Sequence, residues 1–383
     1  MSRPLRILLV LEPGLDGVFR YVVGLADFLR AQGQEIHVAY SDRRGCAALG
    51  EFVQTVAQAG GETLNLGVGN SPEPRDAGAV FRLWKMARRL RPDIIHAHSS
   101  KAGVLARALA LAGVPGAYLY TPQAYYGLAR RGGAKEFFFN AIETAFGRIG
   151  TTLCTSTDEQ QFAVEKLHVP PARLRVIFNP VDASRFTPAD AAARARARQA
   201  LGLPADKIVL GSIGRLSFQK DPQTLLRAVA PVLRERADVT LLHVGRGELE
   251  GEVAQLVGEL GLAERIHRVP YLDEPRSFYE AADAFVLTSR YEGMPLVLLE
   301  ALACGLPLII SAAPGMTDIL HAGLTHCWSA PPEDADAFTR ALHAFLDDRP
   351  AARASNHRAR AIELFSAAKC YGAVLDAYCE MAR

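Results

Sequence analysis

Short apolar runs alternate with longer amphipathic segments along most of the chain. Apolar runs of about four to eight residues are typical of strands buried in a parallel sheet, and amphipathic segments of helices. The first block of predicted strands lies at 7–11, 36–40, 94–97, 118–121, 152–155 and 176–178. After Pro204 the alternation restarts, with strands predicted at 208–213, 239–244, 266–269, 284–288 and 308–311.

Two blocks of strand–helix units predict two α/β domains, because such units form parallel sheets with helices on both faces. A chain of 383 residues also exceeds what one hydrophobic core usually serves. We predict two Rossmann-like, doubly wound domains at 1–182 and 183–365, facing each other across a cleft. A closing helix at 366–383 is expected to pack back on the N-terminal domain.

Composition and charge exclude several classes of protein. A net charge of +2 is too small for a nucleic-acid binder. The first apolar run meets Glu12 too early for a signal peptide, and the six cysteines lack the Cys-x-x-Cys spacing of zinc sites. We therefore expect a cytoplasmic protein without a nucleic-acid partner, a structural metal or an export signal.

The motif with most chemistry is RYEGMPLVLLEALACGLP, at 290–307. Gly293 allows close approach of the backbone, and Pro295 predicts a helix start, so the amides around Met294 and Leu296 are expected to face a ligand. Such a helix N-terminus binds phosphate oxygens. Glu292 and Glu300 can each accept a hydrogen bond from a hydroxyl group, one from a sugar and the other from a ribose.

Two further segments place binding groups at the ends of predicted strands. Arg215 and Lys220 follow the strand 208–213, where two cations neutralise a leaving diphosphate. Gly245 and Gly247 follow the strand 239–244 and predict close approach to a nucleotide. An Asp-x-Asp pair at 334–336 opens a predicted helix, where acidic residues suit the helix dipole better than a metal.

His96 and His98 are expected on one face of the strand 94–97, with His98 nearer the cleft because it lies further along the strand. As a metal pair they lack an obvious third ligand. Ser99 is a candidate N-cap for the helix that follows.

The motif at 290–307 resembles the Glu-Gly-x-Pro-x4-Glu-Ala-x-Ala-x-Gly-x-Pro pattern of retaining glycosyltransferase family 4, and matches every fixed position. The resemblance extends to the segments 214–220, 244–247 and 279–283. It implies the glycosyltransferase-B fold, a nucleotide-sugar donor, retention of anomeric configuration and no obligatory metal or other cofactor. It also implies that His98 contacts the donor sugar and helps align the acceptor.

The N-terminal half departs from the family pattern at two loops. Asp16 replaces a glycine beside Gly17, which leaves the loop near the donor phosphates with an altered shape. Gln123 stands where relatives often carry histidine, so acceptor contact through Gln123, Tyr125 or Tyr126 is expected, without acid–base chemistry.

A basic and aromatic segment in the N-terminal half has two possible roles, at a membrane surface or in the core. Residues 1–180 carry 21 Lys and Arg against 15 Asp and Glu, a net of +6, whereas 181–383 carry 22 against 26, a net of −4. Within the positive half, Arg130, Arg131 and Lys135 precede three phenylalanines at 137–139. These residues either contact an anionic membrane peripherally or the phenylalanines pack into the core.

The resemblance implies a retaining hexosyltransferase of bacterial surface-polysaccharide type, acting on a glycan or lipid-linked glycan. Uridine diphosphate sugars are favoured over guanosine diphosphate sugars on general frequency alone. A nucleotide-sugar epimerase or a phosphorylase can use the same fold, and a non-catalytic nucleotide-sugar-binding protein is the other alternative. The Glu-Gly-x-Pro pattern argues against the first two, and the missing export signal argues against the last.

Overall fold

The computed structural model describes residues 3–272, 274–352 and 355–382. The predicted domain ends at 1 and 383 therefore lie outside the described residues. The chain divides into two compact units, Met1–Asn179 with Ala368–Arg383 (unit 1) and Pro180–Ala367 (unit 2).

Unit 1 contains a seven-stranded parallel sheet with the order β3-β2-β1-β4-β5-β6-β7. Its strands are β1 (Arg6–Leu11), β2 (Glu35–Tyr40), β3 (Thr63–Asn65), β4 (Ile94–His98), β5 (Ala117–Thr121), β6 (Thr151–Cys154) and β7 (Leu174–Val176). Its first six helices are α1 (Asp16–Ala31), α2 (Ala47–Gln58), α3 (Asp76–Leu90), α4 (Ser100–Leu111), α5 (Gly133–Phe146) and α6 (Thr157–Glu165). The order reverses between β1 and β4, so the crevice for a ligand is expected at their carboxyl ends.

Unit 2 repeats this topology with six parallel strands in the order β10-β9-β8-β11-β12-β13. The strands are β8 (Ile208–Ile213), β9 (Val239–Val244), β10 (Ile266–Val269), β11 (Ala284–Leu287), β12 (Leu308–Ser311) and β13 (Cys327–Ala330). The helices are α7 (Ala191–Ala200), α8 (Pro222–Glu235), α9 (Glu250–Leu260), α10 (Arg276–Ala281), α11 (Leu296–Ala303), α12 (Thr317–Leu320), α13 (Ala335–Ala352) and α14 (His357–Phe365). Here the switch point lies between β8 and β11.

The last helix, α15 (Ala367–Met381), lies mainly within the segment that completes unit 1. The Tyr378 hydroxyl contacts His96 Nδ1 at 2.6 Å, and the Tyr371 hydroxyl donates to Tyr21 O at 3.0 Å. These buried contacts tie the end of the chain to β4 and α1.

The prediction of two doubly wound α/β domains is confirmed. The apolar runs predicted the central strands because both faces of those strands are covered: Ile7 to Leu11 and Ala284 to Val286 are wholly inaccessible. The edge strands β3 and β13 were missed, being only 3 and 4 residues long.

The prediction of a strand at 176–178 was wrong by two residues. Pairing with β6, which matches Thr152 with Leu174 and Cys154 with Val176, sets the register instead. Within the described residues, no helix combines the length and hydrophobicity that crossing a membrane requires.

Candidate active site

At the switch point of unit 2, two loops are joined by hydrogen bonds. The loop after β8 contains Gln219 and Lys220, and the loop after β11 contains Thr288 and Arg290. The Arg290 N–H donates to Gln219 O at 2.8 Å, and the Thr288 hydroxyl donates to Lys220 O at 3.1 Å. Residues distant in sequence therefore form one rigid edge.

This edge brings together Lys220 and Glu292, which the sequence analysis had placed in separate motifs. Lys220 Nζ lies 2.5 Å from Glu292 Oε1, and both side chains are largely buried. The Ser289 hydroxyl donates to Glu292 Oε1 at 2.6 Å, and Gln219 Nε2 donates to Oε2 at 3.2 Å. Three donors thus hold the carboxylate in one orientation.

Ser289 and Gln219 were missed by the sequence analysis. A serine three residues before Glu292 is a visible signal, because the chain reverses within that interval. Gln219 carried none, since its role depends on the pairing of two distant loops.

The Glu-Gly-Met-Pro turn is held from behind by a second turn. The Glu292 N–H donates to Pro314 O at 2.8 Å. Gly315 has φ +90°, and a Cβ there would lie 2.1 Å from Glu292 O. Gly315 is therefore a glycine that this approach requires, and it was also missed.

Helix α11 begins at Leu296, with Pro295 as its N-cap rather than as its first residue. The first hydrogen bond of the helix runs from the Leu298 N–H to Pro295 O at 3.0 Å. The N–H groups of Leu296 and Val297 precede that bond, so the helix itself offers them no acceptor. Gly293 and Met294 are buried in the turn.

Glu300 lies in the second turn of α11 and is only 3% exposed, so it is not a solvated helix residue. The Tyr279 hydroxyl donates to Glu300 Oε2 at 2.6 Å, and it also lies 3.2 Å from Val297 O. Tyr279 is thus a further site residue, within a segment that the resemblance covered without assigning it a role.

Gly245 lies at the same edge, directly after β9. Its φ is +141°, and a Cβ there would lie 2.0 Å from Gly214 O. Its N–H donates to Val269 O at 2.9 Å, which joins the ends of β9 and β10. Arg215, which follows Gly214, is exposed.

In unit 1, His98 is buried at the end of β4. As predicted, it shares a face with His96, and the two ring centroids are 4.0 Å apart. Burial lowers the pKa of His98 to about 3, so the ring is neutral at pH 7. Both ring nitrogens lack a hydrogen-bond partner among the residues that the structure describes.

The His98 ring is 0% exposed, so the surrounding side chains separate it from solvent. Its neighbours include Tyr21, whose ring centroid lies 5.5 Å away. A sugar reaches this ring only if the surrounding side chains move. Gly17, by contrast, is exposed in the first turn of α1.

The structure also bears on three subsidiary predictions. Asp334 Oδ1 accepts the Ala337 N–H at 2.8 Å, as expected of an acidic residue at a helix start. Core packing of the phenylalanine segment is wrong for two of its members, because Phe137 is 77% and Phe138 48% exposed. Tyr125 is 2% exposed, so, as for His98, an acceptor reaches it only if the surrounding side chains move.

Comparisons with known proteins show which family the chain resembles. The family model described as Glycosyltransferase Family 4 matches residues 15–185, and the model described as Glycosyl transferases group 1 matches residues 193–363. The chain is 28% identical over 313 residues to the UDP-Gal:alpha-D-GlcNAc-diphosphoundecaprenol alpha-1,3-galactosyltransferase of Escherichia coli, with 80% of each protein covered.

A second relative is the D-inositol 3-phosphate glycosyltransferase of Geodermatophilus obscurus, which is 32% identical over 51% of this chain and 45% of that protein. The crystal structure of Anabaena Alr3699/HepE in complex with UDP and glucose superposes with a TM-score of 0.82 at 19% identity, covering 98% of this chain and 99% of that one. This likeness shows the glycosyltransferase-B fold. With one glycosyltransferase model on each half and that fold, the chain belongs to glycosyltransferase family 4.

Proposed function

We propose that this glycosyltransferase moves a sugar from a nucleoside diphosphate sugar to a glycan or lipid-linked glycan, with retention of the anomeric configuration. The observation that carries the proposal is the Lys220–Glu292 pair beside the N-terminus of α11, at the switch point of a parallel sheet. A uridine diphosphate sugar is the favoured donor, and the UDP bound to Alr3699/HepE supports that choice.

The leaving diphosphate is the group that needs positive charge. Lys220 and Arg215 supply two cations, and the N-terminus of α11 supplies N–H groups and a helix dipole. Because these groups already neutralise the departing charge, we propose that transfer requires no metal ion or other cofactor. Activity that survives EDTA supports this part of the proposal, and dependence on an added divalent ion refutes it.

Two carboxylates divide the rest of the donor between them. Glu292, held by Lys220 and Ser289, accepts a hydrogen bond from a hydroxyl of the donor sugar. Glu300, held by Tyr279, accepts hydrogen bonds from the ribose hydroxyls. The nucleotide is proposed to approach the loop after β9, where the missing Cβ of Gly245 lets that loop pack against Gly214 O.

Retention is proposed to follow a front-face route. The bond between the anomeric carbon and the phosphate oxygen breaks, and the acceptor oxygen bonds to the same face of that carbon. The acceptor proton passes to the leaving diphosphate. With a pKa of about 3, His98 is neutral at pH 7, so one ring nitrogen donates a hydrogen bond and the other accepts one. His98 is proposed to align the reacting sugar through these hydrogen bonds.

A lipid-linked acceptor is supported by the Escherichia coli relative, whose name specifies a diphosphoundecaprenol sugar. We also propose that the protein is cytoplasmic and contacts an anionic membrane peripherally. Exposed Arg130, Arg131 and Lys135 lie beside exposed Phe137 and Phe138. Cations near such a surface contribute about 1 kcal/mol each.

Helix α3 adds a second surface of the same kind. Lys85 lies over the ring of Phe81 at 4.6 Å, and Arg88 lies over Trp84 at 5.2 Å. Phe81 is 54% exposed. Because α4 packs against both α3 and α5, the two basic and aromatic surfaces belong to one layer of helices.

Vesicle sedimentation tests this contact. The protein should pellet with phosphatidylglycerol vesicles at low salt and be released by salt, whereas the Arg130→Ala/Arg131→Ala/Lys135→Ala variant should stay in the supernatant. An Arg227→Ala/Arg234→Ala variant, which removes exposed cations of unit 2, is the control and should still pellet. If the wild-type protein does not pellet with anionic vesicles at low salt, the proposed membrane contact is refuted.

The transfer reaction itself is tested with nucleoside diphosphates and their sugars. UDP should raise the melting temperature more than GDP does, because a ligand bound to the folded state alone stabilises it. The purified protein should then release UDP from a UDP-sugar, slowly with water and faster with a glycan acceptor. The product's anomeric configuration is read by NMR. Inversion refutes retention, an epimerised donor favours an epimerase, phosphate-dependent sugar release favours a phosphorylase, and binding without turnover favours a binding protein.

A further inference from the structure

The turn that follows β5 has an unusual backbone. Gln123 has φ +61° and Ala124 has φ +94°, so two consecutive residues other than glycine occupy the left-handed region. Side chains with a Cβ disfavour this region, and such residues persist only where surrounding contacts hold them. The Ser99 N–H donates to Thr121 O at 3.0 Å, which places the turn beside the end of β4 at the switch point of unit 1.

The contact that holds this turn comes from Glu159 in α6, whose side chain is wholly buried. Its Oε1 accepts the Ala124 N–H at 2.8 Å, while Oε2 accepts the Thr155 N–H at 2.6 Å and the Thr155 hydroxyl at 3.1 Å. An ionised carboxylate accepts hydrogen bonds at both oxygens, so one side chain joins the turn to the start of α6.

The held turn presents the amide of Gln123. Gln123 Oε1 accepts a hydrogen bond from Asn179 Nδ2 at 3.2 Å, which fixes the orientation of the amide. Gln123 Nε2 is shielded from water, and no partner for it occurs in the described part of the chain. A shielded donor of this kind is costly unless a ligand completes it.

We propose that Glu159 is a positioning residue for the acceptor: it holds the turn at Gln123 and Ala124 so that Gln123 Nε2 donates to a hydroxyl of the acceptor sugar. The inference rests on the glycosyl transfer proposed above. Neutral His98 and Gln123 suit an uncharged hydroxyl, whereas the cations suited to the donor diphosphate lie in unit 2.

Glu159→Gln breaks the clamp with almost no change of shape. The amide keeps one acceptor oxygen and turns an NH₂ group toward the donor on its other side, either Ala124 or Thr155. With a glycan acceptor, we expect KM for the acceptor to rise about tenfold while the affinity for UDP, measured by calorimetry, stays within about twofold. Glu165→Gln, on the exposed face of the same helix, is the matched control and should change neither quantity.

Two double variants separate positioning from general stability. Adding Ala124→Gly to Glu159→Gln should recover part of the lost acceptor affinity, because glycine adopts a φ near +94° without the clamp. Gln123→Ala should raise the acceptor KM about as much as Glu159→Gln, and combining the two should add little, because Glu159 acts through Gln123. Additive losses, or no rescue by Ala124→Gly, overturn the proposal.

Hydrogen exchange at the Ala124 amide tests the clamp without any transfer reaction. The amide should exchange at least tenfold faster in Glu159→Gln than in wild type or in Glu165→Gln. Unchanged exchange overturns the clamp even if transfer occurs. Accelerated exchange in a protein that transfers no sugar instead refutes the proposed function, so the two failures are distinguishable.

Discussion

In unit 2, the loops at the switch point hold charged groups that already have partners. Lys220 contacts Glu292, and Tyr279 contacts Glu300. Near the end of the adjacent strand β9, the neutral ring of His243 has no partner among the described residues.

In unit 1, a sheet with the corresponding strand order carries the Glu12–Arg44 ion pair directly after β1. The same edge also holds neutral groups whose polar atoms lack partners among the described residues, namely the ring of His98 and Nε2 of Gln123.

The two edges therefore differ in the groups that they offer to a ligand. Preorganised ionic groups suit a ligand of fixed charge such as a diphosphate, because little reorganisation is needed when it binds. Neutral donors and acceptors without partners suit hydroxyl groups. We therefore propose that the donor diphosphate binds at the edge of unit 2 and the acceptor at the edge of unit 1, although strand order alone does not distinguish the sheets.

The largest effect is expected from Lys220→Met. Removing one cation from a developing charge should lower turnover by about 10²- to 10³-fold. Because Glu292 then stays largely buried without its cation, we also expect about 2 kcal/mol less unfolding free energy, below the cost for fully buried pairs.

Adding Glu292→Gln to Lys220→Met should restore most of that stability but not the turnover. Urea unfolding and initial rates, measured on the same preparations, provide the check. Recovery of activity together with stability would mean that the pair is structural and would remove the contrast with unit 1.

A smaller effect is expected from the titration of Glu159 in unit 1. Burial raises the pKa of Glu159 from 4.5 to about 7. Hydrogen bonds from Thr155 and Ala124 act in the opposite direction and lower this pKa, whereas the nearby charge of Glu143 raises it further. Since the folded-state pKa lies above the unfolded value, the stabilisation is complete below pH 4.5 and is lost as the pH rises through 7. The shift corresponds to about 3 kcal/mol.

Unfolding free energies measured between pH 5 and 9 test this dependence. The difference between wild type and Glu159→Gln should move in favour of the variant as the pH rises. Glu165→Gln should track wild type throughout, and a pH-independent difference between wild type and Glu159→Gln would contradict the assignment.

Next in size is the separation of the two carboxylates of unit 2. Glu300→Gln should weaken UDP binding about tenfold, near 1.4 kcal/mol, because it replaces the acceptor held by Tyr279. Glu292→Gln should leave UDP affinity nearly unchanged and lower transfer. Calorimetry with UDP and measured transfer rates distinguish the two variants. Equal losses of UDP affinity in both would contradict the separate roles of Glu292 and Glu300.

The smallest change is expected in the stability of His98→Leu. Leucine replaces a buried ring whose nitrogens have no partner in the described part of the chain, so the unfolding free energy should change by less than about 1 kcal/mol. Transfer should nevertheless fall. A large loss of stability without loss of transfer would make His98 a core residue and weaken the contrast between the two edges.

Several features were readable from residue types and spacing. Central strands appeared as apolar runs because both faces of a parallel sheet are covered, and the motif at 290–307 identified Glu292, Gly293 and Glu300 as candidates. The spacing of His96 and His98 also predicted their shared face. Short edge strands and the register of β7 escaped, because pairing partners, not local composition, set their limits.

The amino-acid pattern was thus sufficient for the fold class and for two groups of candidate residues, since hydrophobic periodicity and turn chemistry act over a few residues. It left open which of those residues meet. Lys220 and Glu292 are 72 positions apart, and the support of Ala124 by Glu159 spans 35. Such contacts arise only when crossover connections bring the ends of separate strands together, so the pairing, burial and hydrogen bonding of the site depend on the folded sheets.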